Sequence, residues 1–152
     1  MLSQTTVTAI RALLYLTQSG PGAVLSPADI AGEIGASTSY LSKVNTQLVR
    51  AGILKSYRGM RGGVALARDT KEVTLLQIVE ACQGPILADY CTDGADLRMV
   101  CGFHRAMAAV HNCLVDSLQH WTLADFASRP CPSKKLRADV DCILGGVVKI
   151  GD

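Results

Sequence analysis

The stretch Ala51–Arg68, AGILKSYRGMRGGVALAR, decides the fold that we predict for this chain. Ile53 and Leu54 are expected to close a preceding helix, and a glycine-rich turn follows at Gly59, Gly62 and Gly63. The stretch also carries four cations, which are Lys55, Arg58, Arg61 and Arg68. This pattern predicts a basic β-hairpin directly after a helix, and such a hairpin suits contacts with the phosphates of nucleic acid.

Three helices are predicted before the hairpin. Apolar residues at helical spacing indicate the first over residues 5–16. Ser26 followed by Pro27 is typical of an N-cap with proline at the first helical position, and Gly35 ends this second helix. Ser37 caps a third helix that is expected to reach residue 51. A short helix, a glycine-containing turn and a second helix form a helix-turn-helix, and the hairpin makes it a winged helix.

The start of the third helix carries polar side chains that can reach phosphates and base edges in a major groove. These are Ser37, Ser39, Tyr40 and Lys43. In an alternative interpretation they only cap the helix and face solvent. The charge distribution favours DNA, because residues 1–70 hold seven Lys or Arg and three Asp or Glu, whereas residues 71–152 hold eight and ten.

Composition and motifs narrow the class of protein. The chain has 152 residues, of which 49% are hydrophobic and 18% charged, so we expect a packed core. The chain shows neither a signal peptide nor an apolar run of bilayer length, and a cytoplasmic protein without a membrane partner is expected. Its six cysteines then point to metal binding, redox sensing or core packing rather than disulfides. The sequence has no nucleophile elbow, phosphate loop or catalytic carboxylate pair, so we predict no enzyme.

A heptad pattern predicts a long helix in the rear half. Two rows of residues repeat every seven positions, Leu97, His104, His111 and Leu118 in one row and Val100, Met107, Leu114 and Trp121 in the other. Such a seam needs a second long helix, and its copy in another subunit is the expected partner. Thr122 then caps a last short helix. The predicted fold is mainly α with a small β-hairpin wing, a winged helix-turn-helix plus a long dimerisation helix.

This pattern divides the chain into three parts. Residues 1–83 are predicted to form the DNA-binding domain, and residues 84–128 the sensor loop and dimerisation helix. Residues 129–152 form a tail, holding Cys131 and Cys142, that either adds to a dimer or stays partly disordered.

Cysteine and histidine positions suggest a sensor in the rear half. Cys91 lies in a loop, Cys101 in the first turns of the long helix, and His104 one turn later on the same side. Two thiolates and an imidazole make a partial cage for an iron–sulfur cluster or zinc. The histidine could instead pack across the dimer, as His111 is expected to do. Two other cysteines are expected to be small buried residues, Cys82 and Cys113.

Two segments give the chain a family resemblance. Residues 28–68, from ADIAGEIG through YLSKV to RGMRGGVALAR, and the later VTLLQIVEACQGP resemble the Rrf family of bacterial winged-helix transcription regulators. That family includes an iron–sulfur cluster regulator, a nitric-oxide-sensing repressor and a cysteine-metabolism repressor, and the resemblance covers about residues 1–128. It implies a dimer on an inverted-repeat operator, with the helix over residues 37–50 in the major groove and the wing near the minor groove. The DNA contacts that it implies are Ser39, Tyr40, Lys43, Arg58 and Arg61.

The resemblance also has implications for the ligands of the predicted sensor. Cluster-binding members use three cysteines here, and one well-known member adds a histidine three residues after the last, which His104 matches. The middle cysteine is absent from this chain, and Val7 stands where some members supply an acidic ligand from the partner subunit. A two-iron cluster on Cys91, Cys101, His104 and one further group is therefore favoured over a four-iron cluster, with zinc or no metal left open. The alternative function is a cluster-free regulator that responds through thiol redox chemistry, a partner protein or a small molecule.

Overall fold

Six helices and one hairpin form the described part of the chain, which comprises residues 2–59, 62–86, 98–129 and 142–144 of a computed structural model. The helices are α1 Gln4–Gln18, α2 Pro27–Ile34, α3 Thr38–Arg50, α4 Leu75–Gln83, α5 Gly102–His120 and α6 Leu123–Ser128. The strands are β1 Leu54–Tyr57 and β2 Gly63–Leu66, and a 3-10 turn at Thr70–Glu72 leads to α4. This mainly helical architecture with a small antiparallel hairpin confirms the predicted fold class.

Local capping chemistry sets the helix-turn-helix. The Ser26 hydroxyl accepts a hydrogen bond from the Asp29 backbone N–H at 3.1 Å, and Pro27 occupies the first position of α2. Gly35 ends α2 with a φ of 66°, a left-handed conformation that glycine adopts without steric cost. The Ser37 hydroxyl then caps α3 by accepting from the backbone N–H of Tyr40 at 3.3 Å. These starts and stops are where the sequence predicted them.

The end of α3 differs from the prediction. We expected Ile53 and Leu54 to close the helix, but α3 ends at Arg50 and Leu54 begins β1. Gly52 takes a φ of 67° and donates to the Val49 carbonyl, while the Ile53 N–H donates to the Leu48 carbonyl at 2.9 Å. This is the Schellman arrangement that satisfies the last carbonyls of a helix and turns the chain away from its axis. The predicted helix end at residue 51 is confirmed to within one residue. Only the placement of Ile53 and Leu54 at the end of a helix was wrong, because the apolar spacing continues past the turn.

The wing is seated on the loop before α2. In the hairpin Leu54 pairs with Leu66 and Tyr57 pairs with Gly63. Val64 also exchanges two backbone hydrogen bonds with Leu25, at 2.9 and 3.0 Å. A Cβ on Gly63 would overlap the Leu25 carbonyl, so this close approach of two backbones requires glycine. The wing is thus fixed relative to the helix-turn-helix at its base.

One core joins the front and rear parts of the chain. Leu13, Leu41 and Ile78 are fully buried in it, and Leu123 of α6 belongs to the same cluster. The Leu123 N–H donates to the Val73 carbonyl at 2.8 Å, which holds α6 beside the start of α4. In the described part of the tail, Leu144 packs against this core. The domain boundaries stay a prediction, and no helix in the described ranges is long and apolar enough to cross a membrane.

The long helix is present but shorter than its predicted seam. It spans Gly102–His120, and Trp121 lies at its C-cap, stacked on Phe126 with ring centroids 6.2 Å apart. Leu97 lies outside the described residues. The seam residues within the helix are buried or half-buried, while Val110 is 46% exposed. Part of the apolar face of α5 is therefore left uncovered by the described residues of the same chain.

Candidate nucleic-acid interface

The exposed face of α3 carries hydroxyl and cationic side chains. Lys43 and Arg50 are both exposed. They are seven residues apart, about two turns, and therefore lie on the same face of the helix. Ser37 and Ser39 are also exposed at the N-terminal end of the helix. The Thr46 hydroxyl donates to the Ser42 carbonyl at 2.8 Å, so its oxygen keeps only acceptor capacity towards a ligand. This face presents both phosphate-binding cations and groups that can contact base edges.

Tyr40 is placed differently from the other predicted contacts. Its ring is half-buried against the core, and its hydroxyl shares a 3.0 Å hydrogen bond with the Thr5 hydroxyl on α1. Ser3 and Thr6, on either side of Thr5, are hydrogen-bonded to the Gln83 side chain at the end of α4. A chain of contacts therefore runs from the end of α4 through the first turn of α1 to α3. The role of Tyr40 as a DNA contact stays a prediction.

The wing adds further positive charge beside α3. Lys55 and Arg58 are exposed, and the Lys55 ammonium lies 5.5 Å from the centre of the Tyr57 ring. Arg68 instead turns back to the fold, where it donates to the Gly52 carbonyl at 3.2 Å and to the Gln77 side chain at 3.3 Å. Arg68 is therefore structural, and Arg61 lies outside the described residues.

Charge sign is uniform across this surface. Residues 37–68, which include all of α3 and the wing, contain no Asp or Glu. Lys43, Arg50, Lys55 and Arg58 are all exposed. Such an acid-free basic surface attracts a polyanion and repels basic partners.

A groove of about 450 Å³ separates α3 from the wing. Its lining includes Asn45, Thr46 and Arg50 on the helix side and Ser56 and Tyr57 on the wing side. Asn45 is buried, and neither Nδ2 nor Oδ1 of its side chain has a hydrogen-bond partner. Asn45 was not singled out from the sequence, although it follows Leu41 by four residues and precedes Leu48 by three, which is the spacing of the buried side of α3. Arg50 could have been found, since it follows Lys43 at two helical turns.

The sensor residues are partly described. Cys101 is exposed and acts as the N-cap of α5 rather than lying within its first turns, and its sulfur accepts a hydrogen bond from the His104 N–H at 3.4 Å. His104 is half-buried, and Cys91 lies outside the described residues. Within the described ranges, no three His, Cys, Asp or Glu side chains are grouped so that they could hold a metal ion. Among the described residues, Cys101 and His104 alone do not make up a metal site, so the predicted site stays a prediction.

The other cysteines lie in different environments. Burial raises the pKa of the Cys82 thiol to about 11, and a hydrogen bond with Thr6 offsets only part of this shift. A thiol of this kind stays protonated at neutral pH and is a poor nucleophile and metal ligand, as the sequence predicted for a core residue. The prediction for Cys113 was wrong, because this residue is exposed on the side of α5 that its own chain leaves uncovered. Cys131 lies outside the described residues.

Comparison with known proteins identifies the family. Residues 2–129 match Rrf2, whose description is iron-dependent transcriptional regulator. The chain belongs to the Rrf2 family. Protein aau3 of Rhizobium meliloti is 28% identical over 148 residues, which cover 95% of this chain and 91% of that protein.

Solved structures confirm the winged-helix architecture of this Rrf2 protein. CymR, the global cysteine regulator of B. subtilis, is 23% identical with a TM-score of 0.68, and the match covers 84% of this chain and 96% of CymR. IscR of T. potens is 23% identical with a TM-score of 0.67, and the match covers 93% of each chain. The protein is thus a DNA-binding transcription regulator by family, and α3 and the wing are its candidate DNA-binding surface.

Proposed function

We propose that this Rrf2 protein is a dimeric regulator that binds an inverted-repeat operator, and that an iron–sulfur cluster on Cys91, Cys101 and His104 controls its affinity for DNA. The acid-free basic surface of α3 and the wing is the observation that carries the DNA-binding part. In this proposal α3 enters the major groove and the wing lies near the minor groove. Lys43, Arg58 and Arg61 hold phosphates, and Ser37, Ser39 and Tyr40 are the further contacts at the start of α3.

The uncovered apolar face of α5 supports dimerisation through this helix. Val110 and Cys113 are exposed on a helix whose half-buried side already contacts α4. A two-fold axis along this face would present two α3 helices to the same side of a duplex. A symmetric dimer of this kind recognises two half-sites in inverted orientation.

Donor chemistry supports the sensor part of the proposal. The Cys101 sulfur is exposed, and its contact with the His104 N–H leaves lone pairs free for a metal. Thiolate and imidazole are ligands that iron–sulfur clusters and zinc both accept. Cys91 and one further group would complete the site. When bound, a two-iron cluster supplies one-electron redox chemistry and sensitivity to oxidants.

The test of the sensor is the metal content of anaerobically purified and reconstituted protein. We expect iron and acid-labile sulfide together with visible absorbance. Cys101→Ser should lose the absorbance, whereas Cys113→Ser is the matched control, because Cys113 is also exposed on α5 but lies outside the proposed ligand set. Colourless wild-type protein without iron would contradict the proposed cluster. Zinc found by elemental analysis would assign the site to a different metal.

A second candidate is redox control by the thiol itself. Cys101 is exposed at the start of α5 and is accessible to oxidants without metal loss. In this case an oxidant changes the DNA affinity of metal-free wild-type protein and leaves metal-free Cys101→Ser unaffected. An equal response of the two proteins would exclude the thiol mechanism.

A further inference from the structure

We propose that the groove between α3 and the wing holds the sugar–phosphate backbone of one DNA strand, with the Asn45 side-chain amide as a hydrogen-bond donor to it. This inference rests on the proposed DNA binding and adds a contact that lies away from the polar row at the start of α3. Its physical basis is a buried, unpaired amide on a residue of the groove lining, the charge of that lining, and the position of the groove between the two proposed DNA-binding elements.

Within the described residues, no hydrogen bond explains why the polar side chain of Asn45 is buried. The residue is 3% exposed, and both polar atoms of its side chain lack a hydrogen bond. An unsatisfied buried polar group costs about 1–3 kcal/mol, a cost that an apolar side chain such as those of Val44 and Leu48 avoids. Because neither amide atom is held, turning the amide towards the groove breaks no hydrogen bond.

The groove lining suits a phosphodiester. The donors are the Arg50 guanidinium and the hydroxyls of Ser56 and Tyr57, and none of the described lining residues is acidic. Val49 and Val64 supply apolar surface that fits a deoxyribose. The lining therefore complements a negatively charged strand with apolar sugar faces.

The position of the groove identifies the strand. A helix in the major groove and a wing near the adjacent minor groove lie on opposite sides of one sugar–phosphate backbone. That backbone has to pass between α3 and the wing, which is where the groove lies. Asn45 then contacts the DNA through its backbone, so its contribution is independent of base sequence.

The test compares Asn45→Leu with wild-type protein on a labelled duplex of arbitrary sequence at low salt, where phosphate contacts dominate binding. Asn45→Leu is expected to bind about 10-fold more weakly, the effect of one hydrogen bond to a charged group. Its melting temperature is expected to stay unchanged or rise, because the unsatisfied amide is gone. Gln18→Leu, the same change at an exposed carboxamide outside the groove, should leave binding unchanged.

A second measurement uses the wild-type protein and does not depend on how the variant folds. The side-chain NH₂ resonances of Asn45, assigned by their absence in Asn45→Leu, should shift when duplex is added to ¹⁵N-labelled protein. Resonances that stay in place on DNA binding, or undiminished binding by Asn45→Leu, would overturn this inference and leave the groove to another occupant. Wild-type protein that binds no duplex would overturn the proposed function instead.

Discussion

Tyr40 illustrates how a single side chain can link two parts of the protein. Its hydroxyl is bonded to Thr5, and the neighbouring Thr6 donates to Gln83, the last residue of α4. Three residues later the chain enters the segment that carries Cys91. We infer that a change in that segment reaches α3 through the first turn of α1.

Tyr40→Phe tests this inference because it removes the hydroxyl and keeps the ring. We expect the ratio of DNA affinities between cluster-loaded and cluster-free protein to fall several-fold towards one, since one hydrogen bond is worth about 0.5–1.5 kcal/mol. The measurement is a DNA titration of both forms by fluorescence anisotropy. An equal loss of affinity in both forms would contradict this link and leave Tyr40 only the role of a DNA contact given in the proposed function.

Single residues were predicted well where their role depends on local chemistry. Cys82 follows the apolar spacing of α4, and the structure packs it half-buried against the core, close to the buried position that was expected. Asn45 was not singled out, and Cys113 was wrongly predicted to be buried. Cys113 is exposed on α5, and spacing along the chain does not reveal how far neighbouring elements cover the face of a helix.

At the scale of elements, caps were the most informative signals. Ser26, Ser37, Thr74 and Thr122 all cap helices through hydrogen bonds to a backbone N–H three residues later. These bonds involve only neighbouring residues, so sequence alone could locate them. Ile53 and Leu54 were wrongly placed at the end of a helix because the turn before them depends on the left-handed conformation of Gly52, which hydrophobic spacing does not report.

The uncovered face of α5 yields a prediction for this element. Val110→Glu is expected to convert the dimer to monomers, because a carboxylate buried in an apolar interface is strongly unfavourable. Light scattering measures the mass, and DNA affinity should fall with it. Asn112→Glu is the control, since it places the same charge on the opposite side of the same helix.

Dimers that persist in Val110→Glu would show that another surface joins the subunits. The heptad seam predicted this helix and its apolar side. It did not show how much of that side α4 would cover, and the uncovered edge at Val110 became visible only in the folded chain.

At the scale of the whole molecule, the basic front half and the acidic rear half share one core. Leu123 and Ile78 are buried in the same cluster as the residues of α1 and α3, so the two halves are packed together. The sequence predicted the two halves from charge and periodicity. The sensor stays a prediction, because residues 87–97, which include Cys91, lie outside the described ranges.

The most direct test of the proposed binding of a dimer to an inverted-repeat operator is selection of duplexes from a random-sequence library by the purified protein. A symmetric dimer with paired α3 helices predicts enrichment of an inverted repeat, with half-site centres about 10 base pairs apart or at a multiple of that spacing. The same duplex should bind Lys43→Ala and Arg58→Ala more weakly. Enrichment of a single asymmetric site, or no enrichment at all, would contradict the account.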